Sequence, residues 1–218
     1  MLIAFEGIDG SGKATQARML HQRLNGSELF SFPTYDTSVF GPHVRRYLRG
    51  EFGELGQNDP FLVAMLYAIN RYEALPDLQA ALAGGLTVIC DRYVPSNIAH
   101  QAANEPVDSR AALIYRIEQT EYEIFGLPRP DLVILLDLTA EASYRRTHTR
   151  DDTKDLHQDS LSYMARVRDV YLEQARTYRR WHVVDCVDDE GYDKTREHLH
   201  DEIYQVIEEA RAAQVASA

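Results

Sequence analysis

Residues Gly7-Ile8-Asp9-Gly10-Ser11-Gly12-Lys13 have the spacing GxxxxGK, which builds a loop able to wrap a run of phosphates. Glycines permit the tight curl, so that successive backbone N–H groups point into one concavity, and a helix opening behind the loop adds positive potential. Lys13 adds a full charge for the outer phosphates. Ala14 stands where this pattern ordinarily supplies a Ser or Thr hydroxyl for magnesium, and Thr15 follows it. One residue along a helix turns a side chain by about 100°, so Thr15 does not take over that role. Asp9 inside the loop and Asp91, at the end of a later apolar run, are carboxylates that could hold the metal directly or through water.

A phosphate loop needs a strand before it and a helix after it, and the chain provides both. Apolar runs at 2–5, 28–32, 87–90, 132–137 and 182–185 predict five strands. Val88-Ile89-Cys90 and Leu132 to Leu136 are apolar on consecutive positions, as in a strand covered on both faces. Helices are predicted over 12–24, 60–82 with a kink at Pro76, 109–125, 140–150, 160–178 and 192–213. In the fifth of these, Leu161, Met164, Val167, Tyr171, Ala175 and Tyr178 keep a 3-and-4 spacing that makes one buried stripe. Strands alternating with helices imply right-handed βαβ units, hence one three-layer α/β/α domain over 1–218 with a five-stranded parallel sheet.

Composition narrows the function. The 218 residues carry 23 Lys and Arg against 34 Asp and Glu, a net charge of −11, which speaks against nonspecific nucleic-acid binding. An anionic ligand must therefore be held by a local basic pocket. No apolar run approaches the ~20 residues of a membrane helix, and nothing at the N-terminus reads as a signal peptide. Cys90 and Cys186 lack metal or redox spacing and read as reduced thiols, so a soluble cytoplasmic protein is expected. Residues 145–159 hold Leu156 as their only sizeable apolar side chain and carry Arg145, Arg146, Arg150 and Lys154. Alone, such a stretch reads as a solvated loop; cations gathered in an acidic chain point instead to a mobile lid closing over phosphates.

The stretch from Phe5 to Gln16 (FEGIDGSGKATQ) resembles the phosphate loop of the thymidylate kinase family, and further segments follow in that family's order over roughly residues 1–178. Phe32-Pro33-Thr34-Tyr35, residues 47–53 (YLRGEFG), Tyr67-Ala68-Ile69-Asn70-Arg71, Asp91-Arg92-Tyr93 with Ser96-Asn97, and residues 126–131 (GLPRPD) are each similar to a family motif. The Ser96-Asn97 form looks most like the actinobacterial branch. The resemblance implies a P-loop kinase fold, ATP and Mg²⁺, dTMP as phosphoryl acceptor, and a homodimer. It implies that residues 7–15, including Ile8, Ser11, Ala14 and Thr15, hold ATP, and that Asp9, Tyr35, Tyr67, Arg71, Arg92, Asn97, His100 and Gln101 face dTMP.

Within that set the resemblance gives Arg92 the acceptor phosphate, where a guanidinium grips two oxygens at once. Tyr67 stacks on the base, Arg71 and Asn97 take the pyrimidine edge, and Tyr35 and His100 lie near the deoxyribose. His100 stands where relatives commonly carry Tyr or Phe. Relatives with a catalytic arginine in the phosphate loop carry it where this chain has Gly10, so the resemblance assigns the transition-state cation to the lid, with Arg146 and Arg150 as candidates. Gln158 replaces the Glu of the family's lid, leaving Asp9, Asp91, Asp155 and water for magnesium. The implied catalytic set is Lys13, Asp9, Arg92, Arg146 and Arg150. Another nucleotide kinase, or a non-catalytic nucleotide-binding relative given Ala14 and Gln158, is the alternative.

Overall fold

A computed structural model describes residues 1–53, 57–148, 161–188 and 190–217. The elements run β1 (Leu2–Glu6), α1 (Lys13–Arg23), β2 (Ser27–Ser31), α2 (Gly41–Leu48), α3 (Pro60–Tyr72), α4 (Leu75–Ala83), β3 (Thr87–Asp91), α5 (Val94–Ala102) and α6 (Val107–Glu118). A π-helical turn (Gln119–Ile124) extends α6, and β4 (Leu132–Asp137), α7 (Ala140–His148), α8 (Leu161–Thr177), β5 (Trp181–Asp185) and α9 (Arg196–Ser217) complete the chain. The strands form one five-stranded sheet in the order β2-β3-β1-β4-β5, and every pairing is parallel.

Alternation along β1 divides the core. Ile3 and Phe5 face a cluster with Ala17 and Leu20 of α1, Tyr171 of α8 and Ile203 of α9. Leu2 and Ala4 face a second cluster with Ala64 of α3, Leu78 of α4, Ile98 of α5 and Ile117 of α6. Helices therefore cover both faces of the sheet, which is why the central strands are apolar at consecutive positions. Cys90 and Cys186 are buried free thiols in these two clusters. Among the described residues no helix is long and apolar enough to cross a membrane.

The five strands lie where the sequence places them, within a residue of each end. Three helical readings are corrected. The helix expected over 60–82 is two, α3 and α4; Pro76 sits in the first turn of α4, where a missing N–H costs nothing. The helix expected to reach 125 changes at Gln119 to a π-helical turn that buries Thr120 and Glu121. Helices α2 and α5 are not among the expected elements: α2 has eight residues and opens on Gly41-Pro42, and α5 is buried at all positions but His100. Of the expected lid, Arg145 to His148 belong to α7, and 149–159 lie outside the described residues.

The order β3-β1-β4 brings the C-terminal ends of β1 and β3 side by side, so the phosphate loop and the Asp91-Arg92 segment leave the sheet together. Residues 32–40 come next to them and are pinned by Asn70, buried on α3. Its Oδ1 accepts from Thr34 N at 3.0 Å, and its Nδ2 donates to Thr34 Oγ1 at 2.8 Å and Ser38 Oγ at 2.7 Å. A Cβ on Gly41 would lie 2.0 Å from the Thr34 carbonyl oxygen. Gly41→Ala must therefore displace this loop, and we expect it to lower the unfolding free energy by about 1–3 kcal/mol, the usual cost of overpacking. Urea denaturation checks this, and an unchanged midpoint would show that the loop is not held by this close approach.

Candidate active site

The phosphate loop takes the backbone its glycines allow. Gly7, Gly10 and Gly12 have φ of 139°, 78° and 96°, and a Cβ on Gly7 would lie 2.5 Å from the Leu136 carbonyl oxygen. Lys13 is buried at the start of α1 and folds back so that Nζ donates to the Ile8 carbonyl at 2.8 Å. Burial, reinforced by the charge of Arg92, pushes its ammonium down to about 8. A phosphate chain in the loop would supply counter-charge to this ammonium. Ala14 and Thr15 are exposed on the first turn of α1.

Helix α7 packs against this loop. Ser143 Oγ donates to the Asp9 carbonyl at 2.6 Å, and Arg146 Nη1 donates to the Gly10 carbonyl at 3.0 Å. Arg146 Nη2 also pairs with Asp193 at 2.8 Å, an acid that this cation holds below the usual carboxylate range. A Cβ on Gly10 would meet Arg146 Cβ at 3.3 Å, so the space for a side chain at position 10 is taken by α7.

A cavity of about 770 Å³, open to solvent, adjoins the loop. Asp9, Tyr35, Tyr67, Arg71, Arg92, Asn97, His100 and Gln101 all line it, so the structure brings together every residue assigned to the acceptor. Phe32, Pro33, Leu48 and Ser96 complete the lining. Arg92 occupies the left-handed region at φ 64° and makes an ion pair with Asp9 through Nη2. Its Nη1 lies 3.4 Å from Ser96 Oγ and 3.3 Å from His100 Nε2. A guanidinium only donates, so Nε2 accepts here and the ring proton sits on Nδ1, 3.1 Å from the Tyr163 hydroxyl.

Behind Arg92 lies Glu6, fully buried at the end of β1. Its Oε1 accepts from Tyr93 N at 2.8 Å and Ser96 N at 3.3 Å, and its Oε2 accepts from the Ser96 and Tyr171 hydroxyls. Burial raises its pKa, and these donors oppose the shift. Helix α5 has no side-chain cap of its own. Glu6 caps it from the neighbouring strand.

At the cavity's other group of polar residues, Arg71 is buried on α3 and paired with Glu121: Nε to Oε2 at 2.7 Å and Nη2 to Oε1 at 3.0 Å. Asn97 Nδ2 donates both its hydrogens, to the Ala64 carbonyl at 3.0 Å and to Glu121 Oε1 at 2.7 Å. Its Oδ1 is buried and has no hydrogen-bond partner. Tyr67, half-buried on α3, offers the aromatic face in the same cavity.

For magnesium the described residues offer Asp9, whose carboxylate also lies 4.0 Å from Lys13 Nζ, and Asp91, whose charge is felt at Lys13. No group of three or more His, Cys, Asp or Glu is gathered among the described residues. Hard carboxylate oxygens beside a phosphate loop fit a Mg²⁺ ion, which is commonly held by one or two carboxylates with substrate phosphates and waters. Arg150, Asp155 and Gln158 lie outside the described residues.

Glu6, Ser96, Tyr163 and Glu121 are the contributors that sequence reasoning missed. For Glu121 a signal existed: it follows Leu113 and Ile117, both buried, at successive steps of four, so it is a carboxylate in line with an apolar stripe.

Comparison with known proteins agrees with this geometry. The model of the Thymidylate kinase family matches residues 5–198. A thymidylate kinase of Mycobacterium tuberculosis is 32% identical over 202 residues, covering 88% of this chain and 94% of that protein. One from Halothermothrix orenii is 31% identical, covering 95% of this chain and 96% of the relative. The solved thymidylate kinase of Candida albicans superposes with a TM-score of 0.76 at 26% identity, covering 96% of this chain and 92% of that one. With a family model matched over residues 5–198 and relatives above 30% identity covering most of its length, the chain belongs to the thymidylate kinase family.

Proposed function

We propose that this enzyme transfers the γ-phosphoryl group of ATP to dTMP, giving ADP and dTDP, with the phosphate loop holding the donor and the 770 Å³ cavity the acceptor. The observation that carries the choice of acceptor is that Asn97, whose buried Oδ1 has no hydrogen-bond partner, and Arg71 line one cavity. An acceptor beside a donor complements the N3–H and O4 of thymine. Cytosine presents the opposite pattern, a ring nitrogen that accepts beside an amino group that donates.

Phosphoryl transfer needs little covalent help from the protein, since the acceptor is already an anion; positioning and charge stabilisation supply the rate. Arg92, fixed by Asp9, Ser96 and His100, holds the acceptor phosphate. Lys13 and the loop amides hold the donor phosphates. Asp9 and Asp91, with Asp155, would hold Mg²⁺, which would supply a Lewis acid for the charge of the transferred group. Arg146 already lies against the phosphate loop; to act on the transferred phosphoryl it exchanges Asp193 for phosphate oxygens, and Arg150 joins it as the lid closes. Closure also keeps water from competing as acceptor.

A cytoplasmic location accords with the two free thiols. A homodimer accords with Leu62 on α3 and Tyr115 on α6, large apolar side chains 67% and 63% exposed on packed helices.

A coupled ADP-release assay across dTMP, dUMP, UMP, CMP and AMP tests the reaction. Turnover is expected to be highest with dTMP; a preference for CMP or AMP contradicts the reading. Arg92→Ala deletes charge-assisted bonds to the acceptor phosphate and is expected to weaken dTMP binding by about 1.5–3 kcal/mol. Calorimetry reads this directly, and an unchanged affinity removes Arg92 from the phosphate. Arg146→Ala combined with Arg150→Ala should lower kcat far more than it raises either KM, since losing an arginine of this kind costs on the order of 10³–10⁵ in rate. A double variant whose kcat at saturating ATP and dTMP stays within about threefold means that the transition-state cation comes from elsewhere.

A further inference from the structure

We infer that Glu121 is a specificity-determining residue: its buried carboxylate fixes which way the Asn97 amide and the Arg71 guanidinium face, and so selects a base with a ring N–H beside a carbonyl. The inference rests on the acceptor cavity proposed above and concerns a residue that does not line that cavity.

An Asn side chain is nearly symmetric in shape, so only its hydrogen bonds decide whether oxygen or nitrogen faces a ligand. Around Asn97 that decision is one-sided. Its nitrogen side meets two acceptors, the Ala64 carbonyl and Glu121 Oε1. Turning the amide over would set Oδ1 against both and leave the NH₂ in the position without a partner. A carboxylate paired with Arg71 accepts and does not donate, so the turned form has no compensating bond, and Oδ1 is kept as the unpaired atom. The same carboxylate takes one N–H each from Nε and Nη2 of Arg71, which leaves the N–H groups of Nη1 and the second N–H of Nη2 on a guanidinium that lines the cavity. One group thus sets both the acceptor and the donor.

Stability alone does not account for this arrangement. Glu121 is fully buried and Arg71 is 3% exposed, and an ion pair this deep returns about what its desolvation costs; apolar side chains of the same volume would serve the core as well. Such side chains would leave only the Ala64 carbonyl to orient the Asn97 amide. A site built on fixed polar groups rejects a ligand with the reversed pattern strongly, because the mismatch leaves buried groups unpaired.

Glu121→Gln tests this, because a glutamine amide can donate to Asn97 Oδ1 and so stabilise the turned form. With purified, folded variant, the ratio of kcat/KM for dTMP over dCMP is expected to fall at least tenfold, through a higher KM for dTMP and with the KM for ATP unchanged within about twofold. A folded variant that keeps the parent ratio overturns the inference.

The parent protein gives a second readout that needs no variant. The Asn97 side-chain amide protons, both engaged in buried bonds, should exchange with solvent slowly by NMR in the ligand-free state; fast exchange overturns the lock even if Glu121→Gln fails to fold. Calorimetry of the parent with N3-methyl-dTMP separates the two levels. If that analogue binds as tightly as dTMP, the base does not meet Asn97 Oδ1, and the acceptor reading fails together with this inference. If it is rejected while Glu121→Gln keeps its dTMP preference, the acceptor reading stands and Glu121 is only structural.

Discussion

The contact on which both halves of this site depend is the Glu6 carboxylate. It ends β1, one residue before the phosphate loop begins, and it grips the backbone N–H groups of Tyr93 and Ser96 at the start of α5. Parallel pairing of β1 with β3 sets these segments side by side, but register alone leaves the turn after β3 free to choose its course. With Glu6 in place, Arg92 adopts φ 64° and α5 begins at Val94, so that Ser96, Asn97 and His100 follow at helical spacing into the cavity. The residue that launches the donor loop is thus the residue that anchors the acceptor helix. The spacing between the phosphate loop and the start of α5 is fixed by covalent geometry and a handful of buried hydrogen bonds.

Glu121 stands behind Arg71 and Asn97 as Glu6 stands behind Ser96. Each is a fully buried carboxylate, each is satisfied on both oxygens, and each acts through groups on other elements. Buried charge is costly, and the structure places it where the direction of a hydrogen bond matters. His100 belongs to the same logic in a weaker form. Its ring is held between Arg92 and the Tyr163 hydroxyl, which keeps a lone pair on the guanidinium and steadies the group that meets the phosphate.

The sheet was legible in the sequence because strands covered on both faces are written as unbroken apolar runs, and the phosphate loop because GxxxxGK between a strand and a helix has few other uses. The polar residues of the cavity were picked out only through resemblance: Arg71, Asn97 and Gln101, taken singly, look like solvated polar positions, although each is buried. Helix α5 escaped because it is nine residues long and its polar side chains, Ser96, Asn97, His100 and Gln101, line the cavity instead of facing solvent. The π-helical turn was invisible because one wide turn leaves the apolar period of α6 intact while reorienting the residues after it. Glu6 escaped because its partners come from a distant part of the chain, and no local pattern records a hydrogen bond across 87 residues.

Specificity, on this account, is a matter of which atoms stay unpaired once two buried acids have claimed their partners. The most direct measurement is a crystal structure of the enzyme with dTMP bound. The account predicts thymine N3 within hydrogen-bond distance of Asn97 Oδ1, O4 on the Arg71 guanidinium, the ring against Tyr67 and the phosphate on Arg92, with the Arg71–Glu121 pair unbroken. A base seated elsewhere, or an Asn97 amide turned so that its nitrogen meets the ligand, would contradict it.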